Sequence, residues 1–362
     1  MHTGPARQID EYETHLWNLV SILFDDIPAS ADETTYRKRA LSSYFKELVS
    51  RSVWNDLSRT RDPGERTFLN LAAYRISDAC SEAMKNRDFH LATLLSLAEE
   101  SPPEFRQDIR AQLEVWRKDG SAADIQVWYQ AIYELLAGRI DGPGSTFGQL
   151  GMGKRMDWKR AFAMRLWFTT PHDGEIKDAV QEYWMACQQD RNVARPSPWY
   201  NHNDTNGSAV YDGLFQLLRL YAASEVTRTL NDALNPYNFS NTVTDVRISW
   251  HLYIILAELK RKASFSDIFG AKGNAISDTA EQLTVAYVAQ LESLDLWRWA
   301  VFVALHLHRE NARKGVIVDI LARHIHTITD NVEEQGIISQ LIDQWKIPKE
   351  WILEAKVLPC SL

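Results

Sequence analysis

Three short patterns in this 362-residue chain could do chemistry by residue type and spacing. Gly148-Gln-Leu-Gly-Met-Gly153-Lys154 fits the G-x-x-x-x-G-K skeleton of a phosphate-cradling loop, in which backbone N–H groups and a lysine meet the phosphate charge. Arg155 stands where Ser or Thr would hold Mg²⁺, and no apolar strand precedes the loop, so the stretch reads as a Gly-rich connection. Phe24-Asp25-Asp26 begins like the aspartate-rich pattern with which all-α enzymes clamp Mg²⁺–diphosphate. Ile27-Pro28-Ala29 follows instead of a third carboxylate, and a second half-site fails at Asn231-Asp232-Ala233, so Pro28 reads as closing a helix end. His306 and His308, then His324 and His326, make two His-x-His pairs. Residues two apart on a helix point to nearly opposite faces, so neither pair closes a zinc site. With no G-x-S-x-G and no H-E-x-x-H, the sequence predicts no catalytic residue, no cofactor and no metal.

The elements that would position any site read as helices throughout. Ile9, Tyr12, Leu16, Leu19, Val20 and Leu23 recur at steps of three and four. Ser30-x-x-Glu33 reads as a capping box opening a helix whose stripe is Leu41, Tyr44, Phe45, Leu48 and Val49. The same pattern predicts helices over 8–25, 33–51, 65–86, 88–99, 103–118, 124–137, 157–168, 174–190, 208–222, 225–234, 244–262, 277–294, 296–309, 311–329, 334–345 and 349–357. Three longer connections, 138–156, 191–207 and 263–276, separate them. No long period-two alternation calls for a sheet, and the thirteen Trp keep no fixed period, unlike uniform repeat arrays. The expected fold class is all-α, an irregular folded-back helical solenoid.

Composition narrows the function classes. A formal net charge of −8 with no dense basic stripe argues against direct nucleic-acid binding. Arg37-Lys38-Arg39 and Lys260-Arg261-Lys262 are short basic clusters; the second follows the apolar run LYIILAEL, as expected at a helix C-terminus. Cys80, Cys187 and Cys360 are odd in number and far apart, which supports neither a disulfide framework nor a C-x-x-C metal pair. Asn203, Asn206 and Asn238 head N-x-S/T triplets but read as ordinary loops. The apolar stretch 296–307 is shorter than the ~20 residues a membrane span needs, and reads as a buried helix. What remains is an aromatic surplus, thirteen each of Trp, Tyr and Phe, suited to cores and to protein interfaces.

Nine segments in order, among them FHLATLLSL (89–97), DIRAQLEVWR (108–117), DWKRAFAMRLWF (157–168), LFQLLRLYA (214–222), DVRISWHLYIIL (245–256) and WKIPKEWILEAK (345–356), resemble the nucleoporin 96 family. Members are the helical scaffold protein released from the C-terminal half of a larger nucleoporin precursor. The resemblance implies an ancestral-coatomer-element fold, with residues 1–86 as outward trunk, 88–225 as crown and 240–362 as returning trunk around a central helix at 296–307. It implies a structural role in the Y-shaped coat subcomplex of the nuclear pore complex, at the nuclear envelope, supporting mRNA and protein transport without a small-molecule substrate or membrane insertion. Implied partners are a neighbouring helical nucleoporin, docked crown to crown, and a β-propeller shared with a vesicle coat. A chain that begins almost directly with the helix around Leu16 and stops soon after Ala355 is expected to hold trunk and crown without the propeller-completing strand or the tail helices. Crown contacts are expected from Trp128, Tyr129, Lys159, Arg165, Trp167, Phe168, Tyr183 and Trp184, several of which must also serve their own helices' core. A generic helical adaptor in a vesicle-coat-like assembly, and an all-α metal-dependent enzyme, are the alternative readings.

Overall fold

A computed structural model describes residues 5–98, 103–140, 145–171, 174–190, 193–200, 210–223, 226–242, 244–261, 274–324 and 332–357. Among them every regular element is helical, with no strand. The chain forms two compact units, Met1–Pro198 with Asp204–Ala223, and Trp199–Asn203 with Ser224–Leu362.

The first unit opens with α1 (Pro5–Phe24) and α2 (Glu33–Arg59). The stripe on α1 is buried from Tyr12 to Leu23. On α2 the cap is Asp32, whose carboxylate accepts from the Thr35 N–H, and not Ser30. The helix runs past the expected end at 51 because Val53 and Leu57 prolong the buried stripe. Then follow α3 (Pro63–Ala72), α4 (Ile76–Lys85), α5 (Phe89–Leu97), α6 (Pro103–Lys118) and α7 (Val127–Leu136). The single helix expected over 65–86 is broken at Tyr74, which takes a φ of 55°. Its N–H and that of Arg75 close back on Leu71 and Asn70, a left-handed C-cap with tyrosine where glycine usually signals the stop.

The Gly-rich stretch expected as a connection contains two single turns, α8 (Thr146–Gln149) and α9 (Met152–Arg155). Next come α10 (Trp158–Met164), which widens into a π turn at Arg165–Thr169, α11 (Ile176–Gln189) and α12 (Gly213–Ala222). Here the chain folds back, for α10 packs on α2 and α12 packs on both α11 and α1. The seam is aromatic. Phe45 meets Phe162 at 4.9 Å between ring centroids, Phe162 meets Tyr183 at 5.8 Å, and Tyr183 meets Phe215 at 5.3 Å. Burying each such ring contributes roughly 1.5–3 kcal/mol.

The second unit comprises α13 (Val226–Ala233), α14 (Arg247–Arg261), α15 (Asn274–Ser293), α16 (Trp297–Ala304), α17 (Glu310–His324), α18 (Val332–Ser339) with a π turn at Gln340–Gln344, and α19 (Lys349–Val357). Trp250 anchors α14 to α15, donating from Nε1 to Thr284 Oγ1 at 3.2 Å and packing on Tyr287. The stretch 296–307, expected as one buried helix, is helical only over Trp297–Ala304. Ala300, Val301, Val303 and Ala304 are buried, whereas Leu296 and Trp299 are exposed, so the stretch is apolar all round but covered on one side only.

Candidate partner-binding surface

Among the described residues none of the three sequence patterns is assembled into a chemical site. Asp25 lies just past the end of α1, where its carboxylate accepts from Ser21 and its backbone carbonyl from Arg37. His306 packs edge-on against Trp250, His324 stacks on Trp297 at 5.4 Å, and His326 lies outside the described residues. Among the described residues no three His, Cys, Asp or Glu side chains gather as a metal site. Cys80 and Cys187 are in no disulfide and donate from Sγ to the Ala92 and Ala194 carbonyls, and Cys360 lies outside the described residues. Asn238 is buried and donates to the Asp232 carbonyl, while Asn203 and Asn206 also fall outside the described residues. No described helix is long and apolar enough to cross a membrane.

The eight residues expected at a partner surface divide sharply. Trp128, Arg165, Trp167, Phe168 and Tyr183 are buried inside the first unit, so they hold the fold and present nothing to a partner. Trp128 packs on Phe68. Arg165 donates to the Ala161 carbonyl at 2.8 Å and lies over the Tyr183 ring. Trp167 stacks on Tyr74 and donates to Ser42 Oγ, and Phe168 meets the same tyrosine edge-on. Tyr183 has its hydroxyl on the Ala194 carbonyl, and burial drives its pKa far up. For four of them the physical reason is the fold-back: α10 packs on α2 and α11 on α12, so the aromatic runs of α10, its π turn and α11 serve the core, while Trp128 is buried because α7 packs on α3.

Tyr129, Lys159 and Trp184 remain half-exposed. Trp184 packs its ring on Tyr211 and Phe215, with the Arg219 guanidinium 4.6 Å from its centroid. Tyr129 accepts from Asn86 Nδ2 at 2.7 Å, which ties α7 to the corner between α4 and α5. That corner carries Met84 and Phe89, the latter 67% exposed, and the sequence reading did not single them out. Their signal was present: Phe89 directly follows the N-cap Asp88, off the buried pair Leu91 and Leu95. Trp54 was missed in the same way. It sits one residue beyond Val53 on the stripe of α2, exposed, with Arg75 stacked on its ring. In the second unit Leu294, Leu296, Trp299 and Leu353 are exposed as well.

The chain is similar to known proteins over nearly its whole length. The chain is 29% identical to nucleoporin nup189 of Schizosaccharomyces pombe, with 96% of the chain aligned to 20% of that protein. It is 27% identical to the Nup98-Nup96 nuclear pore complex protein of Drosophila melanogaster over 96% of the chain and 18% of that protein. With the nuclear pore complex protein NUP96 of Arabidopsis thaliana it shares 28% identity over 88% of the chain and 29% of that protein. The chain thus spans less than a third of the length of these relatives. The family profile described as nuclear protein 96 matches residues 65–359, from the first turn of α3 to beyond α19. The chain belongs to the nuclear protein 96 (Nup96) family.

Proposed function

We propose that the chain is a structural scaffold element of the nuclear pore complex, acting by protein–protein contact in its Y-shaped coat subcomplex and so supporting nucleocytoplasmic transport. The family match over residues 65–359 carries this reading. Its location is the nuclear pore at the nuclear envelope, the setting named in the Drosophila and Arabidopsis relatives. The role assigns no catalytic step and no cofactor; preformed helical faces are the working parts.

The neighbouring helical nucleoporin docks on the corner formed by α4, α5 and α7, with Met84, Phe89 and Tyr129 as anchors, and Trp184 and Lys159 mark a second accessible face. Exposure and the hydrogen bond that fixes Tyr129 support this choice. A β-propeller subunit is the other partner. Calorimetric titration with the crown fragment of the neighbouring helical nucleoporin, against an unrelated helical solenoid, tests the reading. One-to-one submicromolar binding is expected, lost in Phe89→Asp and Tyr129→Asp with circular dichroism and melting temperature unchanged. A well-folded chain that does not bind overturns it.

A further inference from the structure

The Gly-rich stretch that carries the phosphate-loop skeleton has a mechanical place in the fold. Its helices α8 and α9 are four residues each, too short to persist alone, so neighbouring elements must hold them. Glu134 of α7 holds the entry: its buried carboxylate accepts from the Thr146 N–H at 2.9 Å, Thr146 Oγ1 at 2.5 Å and Ser145 Oγ at 3.2 Å. Phe68 of α3 holds the middle, meeting the buried Phe147 ring edge-on at 5.6 Å. Glu65 of α3 holds the exit through an ion pair with Arg155 at 2.6 Å, and the Arg155 guanidinium lies 5.5 Å from the centre of the Trp128 ring on α7. Met152 and Met156 are buried as well. Residues 145–156 thus form a strap with fastenings on both α3 and α7.

The two helices it joins meet closely: a Cβ on Gly64 of α3 would lie 3.1 Å from Trp128 Cβ and 3.2 Å from Tyr129 Cε2. The docking anchors lie on either side of this joint. Tyr129 belongs to α7, whereas Met84 and Phe89 belong to α4 and α5, which pack in succession from α3. Their spacing therefore depends on how firmly α7 is held to α3. Asn86 Nδ2 donates to Tyr129 and Gln126 Nε2 to Asp62 across the joint, both at exposed positions where water competes for each partner. The ties of the strap differ, since the Glu134 carboxylate and the Phe147 ring are withdrawn from water. A buried carboxylate deprived of its donors is costly, so a segment fixed by such a group opens and closes as a unit.

We propose that the strap 145–156 is the positioning element of the docking corner, clamping α7 to α3, and that docking competence is lost when it opens. This rests on the reading of the α4, α5 and α7 corner as the docking site. Anchors held at fixed spacing bind without the ordering cost that a loose joint adds, and only the closed population docks at full strength.

The test is hydrogen exchange of the whole chain, with and without the crown fragment of the neighbouring helical nucleoporin, joined to calorimetric titration of two triple variants. Thr146→Val/Phe147→Ala/Arg155→Gln removes a donor, a ring and a charge, whereas Thr146→Ser/Phe147→Leu/Arg155→Lys keeps a donor, apolar bulk and a charge. The first should exchange its strap and α7 amides about tenfold faster or more, with circular dichroism unchanged, and dock about tenfold more weakly. The second should dock within about twofold of the wild type. Arg155→Gln alone, at a half-exposed position, should speed strap exchange only about two- to fivefold. In the wild type the bound fragment should slow strap exchange, since coupling is reciprocal, and this readout needs no variant to fold. Docking that survives an open strap overturns the proposal, as does α7 exchange that stays unchanged when the strap opens. Wild-type strap exchange indifferent to the bound fragment overturns it too. A wild type that does not dock, in which strap and α7 still loosen together in the first variant, overturns the docking reading and supports the clamp.

Discussion

At the scale of single residues, Asp212 is the most committed polar group in the first unit. Its carboxylate accepts from Tyr12 Oη at 2.9 Å, Trp158 Nε1 at 3.2 Å and the Leu214 N–H at 2.9 Å, joining α1, α10 and α12 at one point. Asp212→Ala leaves three buried donors without an acceptor, which should cost roughly 3 kcal/mol or more in denaturant unfolding. Burial raises the Asp212 carboxyl above its ordinary range, although Lys159 and the three hydrogen bonds oppose this. The folded chain therefore holds that proton more tightly than the unfolded chain does. The resulting stability is complete below the unfolded carboxylate value and is lost as pH rises through the raised one. The melting temperature of the wild type relative to Asp212→Asn should accordingly increase as pH falls from neutral into the acid range.

At the scale of elements, helix ends decide where the chain turns. Tyr74, Arg87 and Asp295 all adopt positive φ, and each follows a helix with the paired hydrogen bonds of a left-handed C-cap. Arg87 is exposed, and a side chain in this backbone region is strained where glycine is not. Arg87→Gly should raise stability by about 0.5–1 kcal/mol, measured by denaturant midpoint. Tyr74 differs, because its ring stacks on Trp167 and takes Lys46 on its face, so the strain is offset by packing. Gly138 is the contrary case: φ is +67°, and a Cβ would lie 2.7 Å from the Phe168 carbonyl oxygen. Gly138→Ala should destabilise by about 1–3 kcal/mol, since both the backbone and the π turn must give. Sequence legibility followed the same line. The end of α7 at Gly138 was readable, whereas the break within 65–86 was not, because a tyrosine stands where the stop signal is normally glycine.

At the scale of the molecule, two units with separate cores should unfold separately. Phe162 lies at the centre of the first core and Trp250 in the second. Phe162→Ala should lower one transition in scanning calorimetry by an amount matching roughly 3–5 kcal/mol while leaving the other in place, and Trp250→Ala should do the reverse. A single transition shifted as a whole by either variant would show instead that the units unfold together. The candidate partner surface belongs to this scale as well. Eight aromatic and charged residues looked equivalent in sequence, yet enclosure of α10, its π turn and α11 buried four of them, packing of α7 on α3 buried Trp128, and the corner bearing Phe89 was left in the open.

The sequence by itself determined the all-α class, most helix positions and the family, because apolar residues at steps of three and four must find a core and because long Trp-marked segments are specific. Only the tertiary structure decided which aromatic residues are core and which are surface. Periodicity fixes the face of a helix but not how many neighbours cover it, and a helix enclosed on two sides hides residues that a half-covered helix would expose. The surroundings of Tyr74 have the same origin: Lys46 of α2 and Trp167 of the π turn lie far apart in the chain, and only packing brings both to the one ring.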